Sequence, residues 1–117
     1  MELKKLNVQG KEVEFVNAWR GTRSGFKHET TMFVDGVRVG EDVCHYINRT
    51  WERYTYQTVM RSAVYRLLEN REAWLKNRFM EEKGYKKLTP QRKIEFAEVV
   101  DADDGIRFYR EVRDQLA

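Results

Sequence analysis

Apolar side chains recur at every second residue as far as Ile47 and at every third or fourth residue from Tyr56 onward, and this one change of period limits what the chain can build. A period of two sends alternate side chains to opposite faces of a pleated strand, whereas a period near 3.6 gathers them on one side of a helix. The first part therefore reads as sheet and the rest as helix. Val13, Phe15, Asn17 and Trp19 alternate with Glu12 and Glu14 as a half-buried strand requires, and Phe26, His28, Thr30, Met32 and Val34 share one face of the next.

Asp35-Gly36 is the sharpest turn signal, because a two-residue type I′ turn needs positive φ at both central positions and this pair tolerates it. The hairpin it predicts sets Val34 opposite Val37 and Met32 opposite Val39. Gln9-Gly10 separates Leu3–Val8 from Lys11–Arg20, a glycine-bounded loop over 21–25 leads into Phe26–Val34, and Gly40 marks a one-residue bulge before the strand resumes to Ile47. From Thr50 or Thr55, a stripe of Tyr56, Val59, Met60, Ala63, Val64, Leu67, Leu68, Trp74, Leu75 and Phe79, broken by Arg71, predicts one helix ending at Lys83-Gly84. Such a helix is about 40 Å long, more than a small sheet can cover. Its Trp74, Leu75 and Phe79 end needs either the C-terminal helices or a second copy of the chain, and a homodimer through these residues, with Tyr109 and Leu116, is one expectation.

Thr89-Pro90 reads as the N-cap and first position of a helix carrying Ile94, Ala97 and Val100 on one face. The carboxylates of Asp101, Asp103 and Asp104 read as caps of a last helix with Ile106, Tyr109, Val112 and Leu116. The fold expected is a single α+β domain over 1–117. An antiparallel β-meander of three or four strands (1–48) packs on a long amphipathic helix (50–83), followed by two shorter helices (89–116).

Net charge is only +3, but its distribution is uneven: 0 over residues 1–48, +7 over 49–93 and −4 over 94–117. The acidic end either neutralises the basic middle within the fold or leaves a positive face for an anionic partner. No apolar run approaches the roughly 18 residues that cross a bilayer, and Met-Glu-Leu-Lys-Lys is no signal-peptide core, so a cytoplasmic protein without a membrane partner is expected. The single Cys44 fits a reducing compartment.

Catalytic and metal motifs are weak. A one-residue bulge at Gly40 sets His28 opposite Cys44, while without it His28 faces Val43; neither register supplies the orienting acid that a cysteine nucleophile needs. Cys44, His45 and His28 are too few for a metal site, and the aspartate cluster lacks the ligand ladder of a calcium loop. A non-enzymatic protein without cofactor or metal is expected, with a Cys/His-dependent enzyme as the remote third reading.

The segment 45–61 is denser in recognition chemistry, with Tyr46, Trp51, Tyr54 and Tyr56 among Arg49, Arg53 and Arg61. Aromatic faces supply stacking area and guanidinium groups supply planar donors. Helical spacing turns Trp51 and Tyr56 inward, and sends Tyr54, Thr58, Arg61 and Tyr65 outward. Arg49, Arg53, Tyr54, Arg61 and Tyr65 are thus the candidate partner-binding residues. Lys83, Lys86, Lys87, Arg92 and Lys93 form a secondary basic patch.

Asn48-Arg49-Thr50-Trp51-Glu52-Arg53-Tyr54-Thr55-Tyr56-Gln57, after a strand ending in His45-Tyr46, resembles a stretch recurring in small accessory proteins of phages and mobile elements of Gram-positive bacteria. The likeness reaches Met60 and includes the plan of hairpins before a helix; the second half of the chain lies outside it. The resemblance implies a setting rather than a site: binding, without catalysis, to a host or phage machine. The function expected is inhibition by occlusion of a protein that handles nucleic acid, such as a host defence nuclease complex. Direct binding of single-stranded or duplex nucleic acid, by tyrosine stacking and arginine–phosphate contacts, is the alternative.

Overall fold

Two tight turns set the sheet. Gln9-Gly10 and Asp35-Gly36 both take positive φ at both residues (52° and 76°, 49° and 78°), the backbone of a type I′ turn, and Val8 pairs with Lys11 and Val34 with Val37 across them. The computed structural model describes the backbone of residues 2–22, 25–47 and 56–117, and the side chains of 2–18, 29–39 and 57–117. β1 (Glu2–Val8), β2 (Lys11–Thr22), β3 (Gly25–Val34) and β4 (Val37–Ile47) form one antiparallel sheet in that order. α1 (Tyr56–Lys83), α2 (Pro90–Ala102) and α3 (Asp104–Leu116) follow. The Asp35 N–H donates to Glu12 O and its Oδ1 accepts from the Glu12 N–H, both at 2.8 Å, which ties the β3–β4 turn to the start of β2.

Two expectations of register need correction. Pairing between β2 and β3 continues through Gly21↔Phe26 to Thr22↔Gly25, so the glycine-bounded loop over 21–25 contracts to the two residues between these strands. In β4 the pairing passes from Met32↔Val39 to Thr30↔Val43, an irregularity of two residues rather than one. His28 therefore stands opposite His45, and Cys44 opposite Glu29; the expected His28–Cys44 pairing is not formed. The physical reason lies in Thr30, which is fully buried on the inner row. A one-residue slip would set Asp42 there, whereas two residues preserve the alternation of faces and set Val43 there.

The inner face of the sheet presents Val13, Phe15 and Met32 to the helices, with Asn17 and Thr30 buried beside them and the Thr30 hydroxyl 3.3 Å from Asn17 Oδ1. With Val8 they join Met60, Ala63 and Val64 of α1 and Phe108, Val112 and Leu116 of α3 in the main core. Burying each large aliphatic or aromatic side chain contributes about 1.5–3 kcal/mol, so this cluster fixes α1 and α3 on the sheet.

A second core forms where α1 outruns the sheet. Leu75 and Phe79 pack with Phe96 and Val100 of α2 and Ile106 of α3, and Leu68 touches both clusters. The cover for the far end of α1 thus comes from the C-terminal helices. Of the three residues expected to mediate self-association, Leu75 and Phe79 are buried within the chain, as is Leu116; only Trp74 stays exposed, at 47%. On α2 the inward face also differs from expectation. Phe96 and Val100 are buried, while Ile94 is 57% exposed and Ala97 faces water, because the helix rolls its one aromatic ring onto Phe79.

Candidate functional site

The helix caps place the charged groups. Gly84 takes φ 69° at the end of α1, the Gly84 N–H donates to Glu81 O (3.3 Å) and the Tyr85 N–H to Met80 O (2.9 Å). These are the two bonds of a Schellman motif, whose apolar contact is made here by the Tyr85 ring edge-on to Phe79 at 5.8 Å. Thr89 Oγ1 accepts from the Arg92 N–H (3.4 Å) at the start of α2, with Pro90 at the first position. Asp103 Oδ2 accepts from the Ile106 N–H (3.0 Å) at the start of α3. Within the Asp101–Asp104 cluster, Asp103 is the cap, and Asp101 instead pairs with Arg110 at 2.9 Å.

Asp103 also receives Arg71, the residue that interrupts the apolar stripe of α1. Arg71 Nε lies 2.9 Å from Oδ2 and Nη2 2.8 Å from Oδ1. The pair is partly buried, Arg71's hydrogen bonds hold the Asp103 carboxyl below the usual carboxylate range, and the carboxylate raises the guanidinium in turn. Gly105 leaves room for it: a Cβ there would lie 3.1 Å from Asp103 Oδ2 and 3.2 Å from Arg71 Nε. Arg71 and Arg78 both lie over the Trp74 ring, 4.4 and 5.3 Å from its centroid, which accounts for the exposed indole. Sequence reasoning missed this arrangement; its only local trace is a lone arginine in an apolar stripe.

Among the described residues, Arg71–Asp103 is the one ion pair joining the basic middle of the chain to its acidic end. Asp101 and Asp114 are taken by Arg110 and Arg113 of the acidic segment itself. Internal neutralisation is therefore slight, and basic groups are left on two surfaces.

The first surface is the outward side of α1. Arg61 and Tyr65 stand one turn apart, both exposed, Tyr65 by 63%, and Arg61 makes no ion pair among the described residues. The charge of Glu69 beside it raises the Tyr65 phenol above its ordinary value, with a smaller contribution from Glu72. The ring rims a cleft of about 280 Å³ that Glu69 and Glu72 line from α1 and Arg110 and Arg113 from α3. Arg49, Arg53, Tyr54 and Trp51 lie outside the described residues, as does the side chain of Tyr56.

The second surface is the α1–α2 turn, where Lys83, Lys86, Lys87 and Lys93 are exposed and make no ion pair among the described residues. Arg92 lies 3.9 Å over the Tyr85 ring and donates to Lys87 O at 3.2 Å. From Tyr65 to Lys83 the helix rises about 27 Å, so the two surfaces are separate on a molecule 48 × 35 × 23 Å in extent.

Among the described residues no group of three or more His, Cys, Asp or Glu side chains is placed to hold a metal, and no helix is long and apolar enough to cross a membrane. Comparison with protein-family models, with curated proteins and with solved structures finds no match. What the described geometry offers is contact chemistry: an exposed ring, guanidinium groups and lysines on rigid helices.

Proposed function

We propose that this chain is a non-enzymatic binding protein that docks on, and inhibits by occlusion, a protein that handles nucleic acid, in the manner of a phage accessory protein directed at a host defence nuclease complex. The observation that carries this reading is the Arg61–Tyr65 face. An exposed tyrosine beside an arginine without an ion pair among the described residues is the pairing from which interface anchors are made. Glu69 and Glu72 favour a protein partner over nucleic acid at this face. Carboxylates beside the tyrosine hydroxyl would repel a phosphate backbone, yet they complement a mixed-charge protein surface. Arg49, Arg53 and Tyr54, outside the described residues, are candidates for the same partner on their sequence chemistry alone.

Affinity capture from host lysate, with and without nuclease treatment, tests the reading. A discrete protein should be retained after nuclease digestion and lost with Arg53→Glu plus Arg61→Glu. Recovery that disappears with nuclease, or that survives the double substitution, would refute protein docking through this face.

A further inference from the structure

The α1–α2 turn carries chemistry that the Arg61–Tyr65 face does not. Residues 83–93 contain five cations and no carboxylate. Lys83, Lys86, Lys87 and Lys93 are exposed, and none of them has an ion-pair partner among the described residues. The first turn of α2 holds no acidic side chain and places Arg92 and Lys93 beside the positive end of the helix dipole. Stability alone favours acidic groups there, by about 0.3–1 kcal/mol each.

The turn is also rigid. The Schellman bonds fix Gly84 and Tyr85, the Tyr85 hydroxyl donates to Glu95 at 3.2 Å, Leu88 packs on the second core, and Arg92 is stacked on Tyr85 while it holds the Lys87 carbonyl. The four lysines are thus mounted on a frame set by backbone and core contacts.

We propose that this turn is a second interaction surface, which takes the phosphate backbone of a nucleic-acid duplex through Lys83, Lys86, Lys87 and Lys93. The inference goes beyond docking to a protein, and it stands or falls separately. Lysine is depleted from protein interfaces, which are anchored by aromatic and arginine side chains in desolvated pockets. Here the single aromatic ring is half-buried with its face under Arg92, so neither a protein anchor nor a platform for stacking unpaired bases is presented. Strongly hydrated point charges without a stacking ring suit contacts to phosphate that position a duplex without reading its bases.

The test is fluorescence anisotropy of the full chain with a short labelled duplex DNA across a salt series. Four phosphate contacts predict that affinity falls on the order of 10²-fold between about 50 and 200 mM salt. Lys86→Gln with Lys87→Gln removes two contacts and should reduce that loss to roughly tenfold, with an unchanged melting temperature; Lys83→Gln with Lys93→Gln should behave alike. Arg53→Glu plus Arg61→Glu should leave most of the duplex affinity, which separates this surface from protein docking. Absence of binding at low salt, a parental salt slope in both lysine pairs, or tighter binding of the single strand would overturn the proposal. Poly-aspartate competing as well as unlabelled duplex would do so too, because it would point to an acidic protein instead.

Discussion

Arg71 closes both arms of its guanidinium on the carboxylate of Asp103, thirty-two residues further along the chain, while that same carboxylate caps α3. One side chain thus joins the long helix to the junction of the two short ones. Asp103→Ala should cost about 2 kcal/mol, roughly half from the lost cap and half from the lost charge-assisted bonds, reduced by the partial exposure of Arg71. A double-mutant cycle with Arg71→Met, read by urea denaturation, should give a coupling near 1 kcal/mol. Additive single effects would show that the two groups act apart.

Acidification should unlock the same contact. Arg71's hydrogen bonds, assisted by the Ile106 N–H and opposed by desolvation, hold the Asp103 carboxyl below its ordinary value in the folded chain. A depressed carboxyl stabilises the fold fully above the unfolded value near 4, and the contribution is lost as pH falls through the folded value. Urea midpoints between about pH 5 and 2 should drop more steeply for the parent than for Asp103→Asn. Parallel curves would exclude Asp103 from the acid limb.

How much of this was legible in the sequence depends on how far each residue reaches. Asp35-Gly36, Thr89-Pro90 and Lys83-Gly84 act within their own few residues of chain, so turn, cap and stop can be read from two letters each. Arg71 reads only as a flaw in a stripe, because its partner is distant in sequence. Ile94 and Phe96 both satisfy a helical period, and the choice between them is made by Phe79 on another helix. The size of the β4 irregularity follows from what must face Thr30, a tertiary demand. For the candidate site, Arg61 and Tyr65 are legible as an outward pair, whereas the cleft beside them exists only once Arg110 and Arg113 of α3 are set against Glu69 and Glu72 of α1.

The second core makes a prediction about oligomeric state. With Leu75 and Phe79 covered by α2 and α3, light scattering at micromolar concentration should give a monomer of 14.1 kDa. Leu75→Ala and Phe79→Ala should each cost about 2–5 kcal/mol, while Trp74→Ala, on the surface, should change stability by less than about 1 kcal/mol. A dimer that Trp74→Ala dissociates would contradict this.

Glycines in left-handed turns should resist substitution for reasons of backbone alone. A Cβ at Gly36 or Gly84 would meet nothing within 4 Å, yet their φ values are +78° and +69°. Alanine at either position should therefore cost about 1–2 kcal/mol, and asparagine less, since it tolerates this region. Equal destabilisation by alanine and asparagine in thermal melts would point to another cause.

The sharing of α1 and α3 between two cores has a consequence for how the molecule comes apart. Leu68 belongs to both clusters, and α3 sends Ile106 to one and Phe108, Val112 and Leu116 to the other. Because both clusters hold α1 and α3, they should open together, as one cooperative unit. Amides in the middle of α1 should exchange with solvent only through global unfolding.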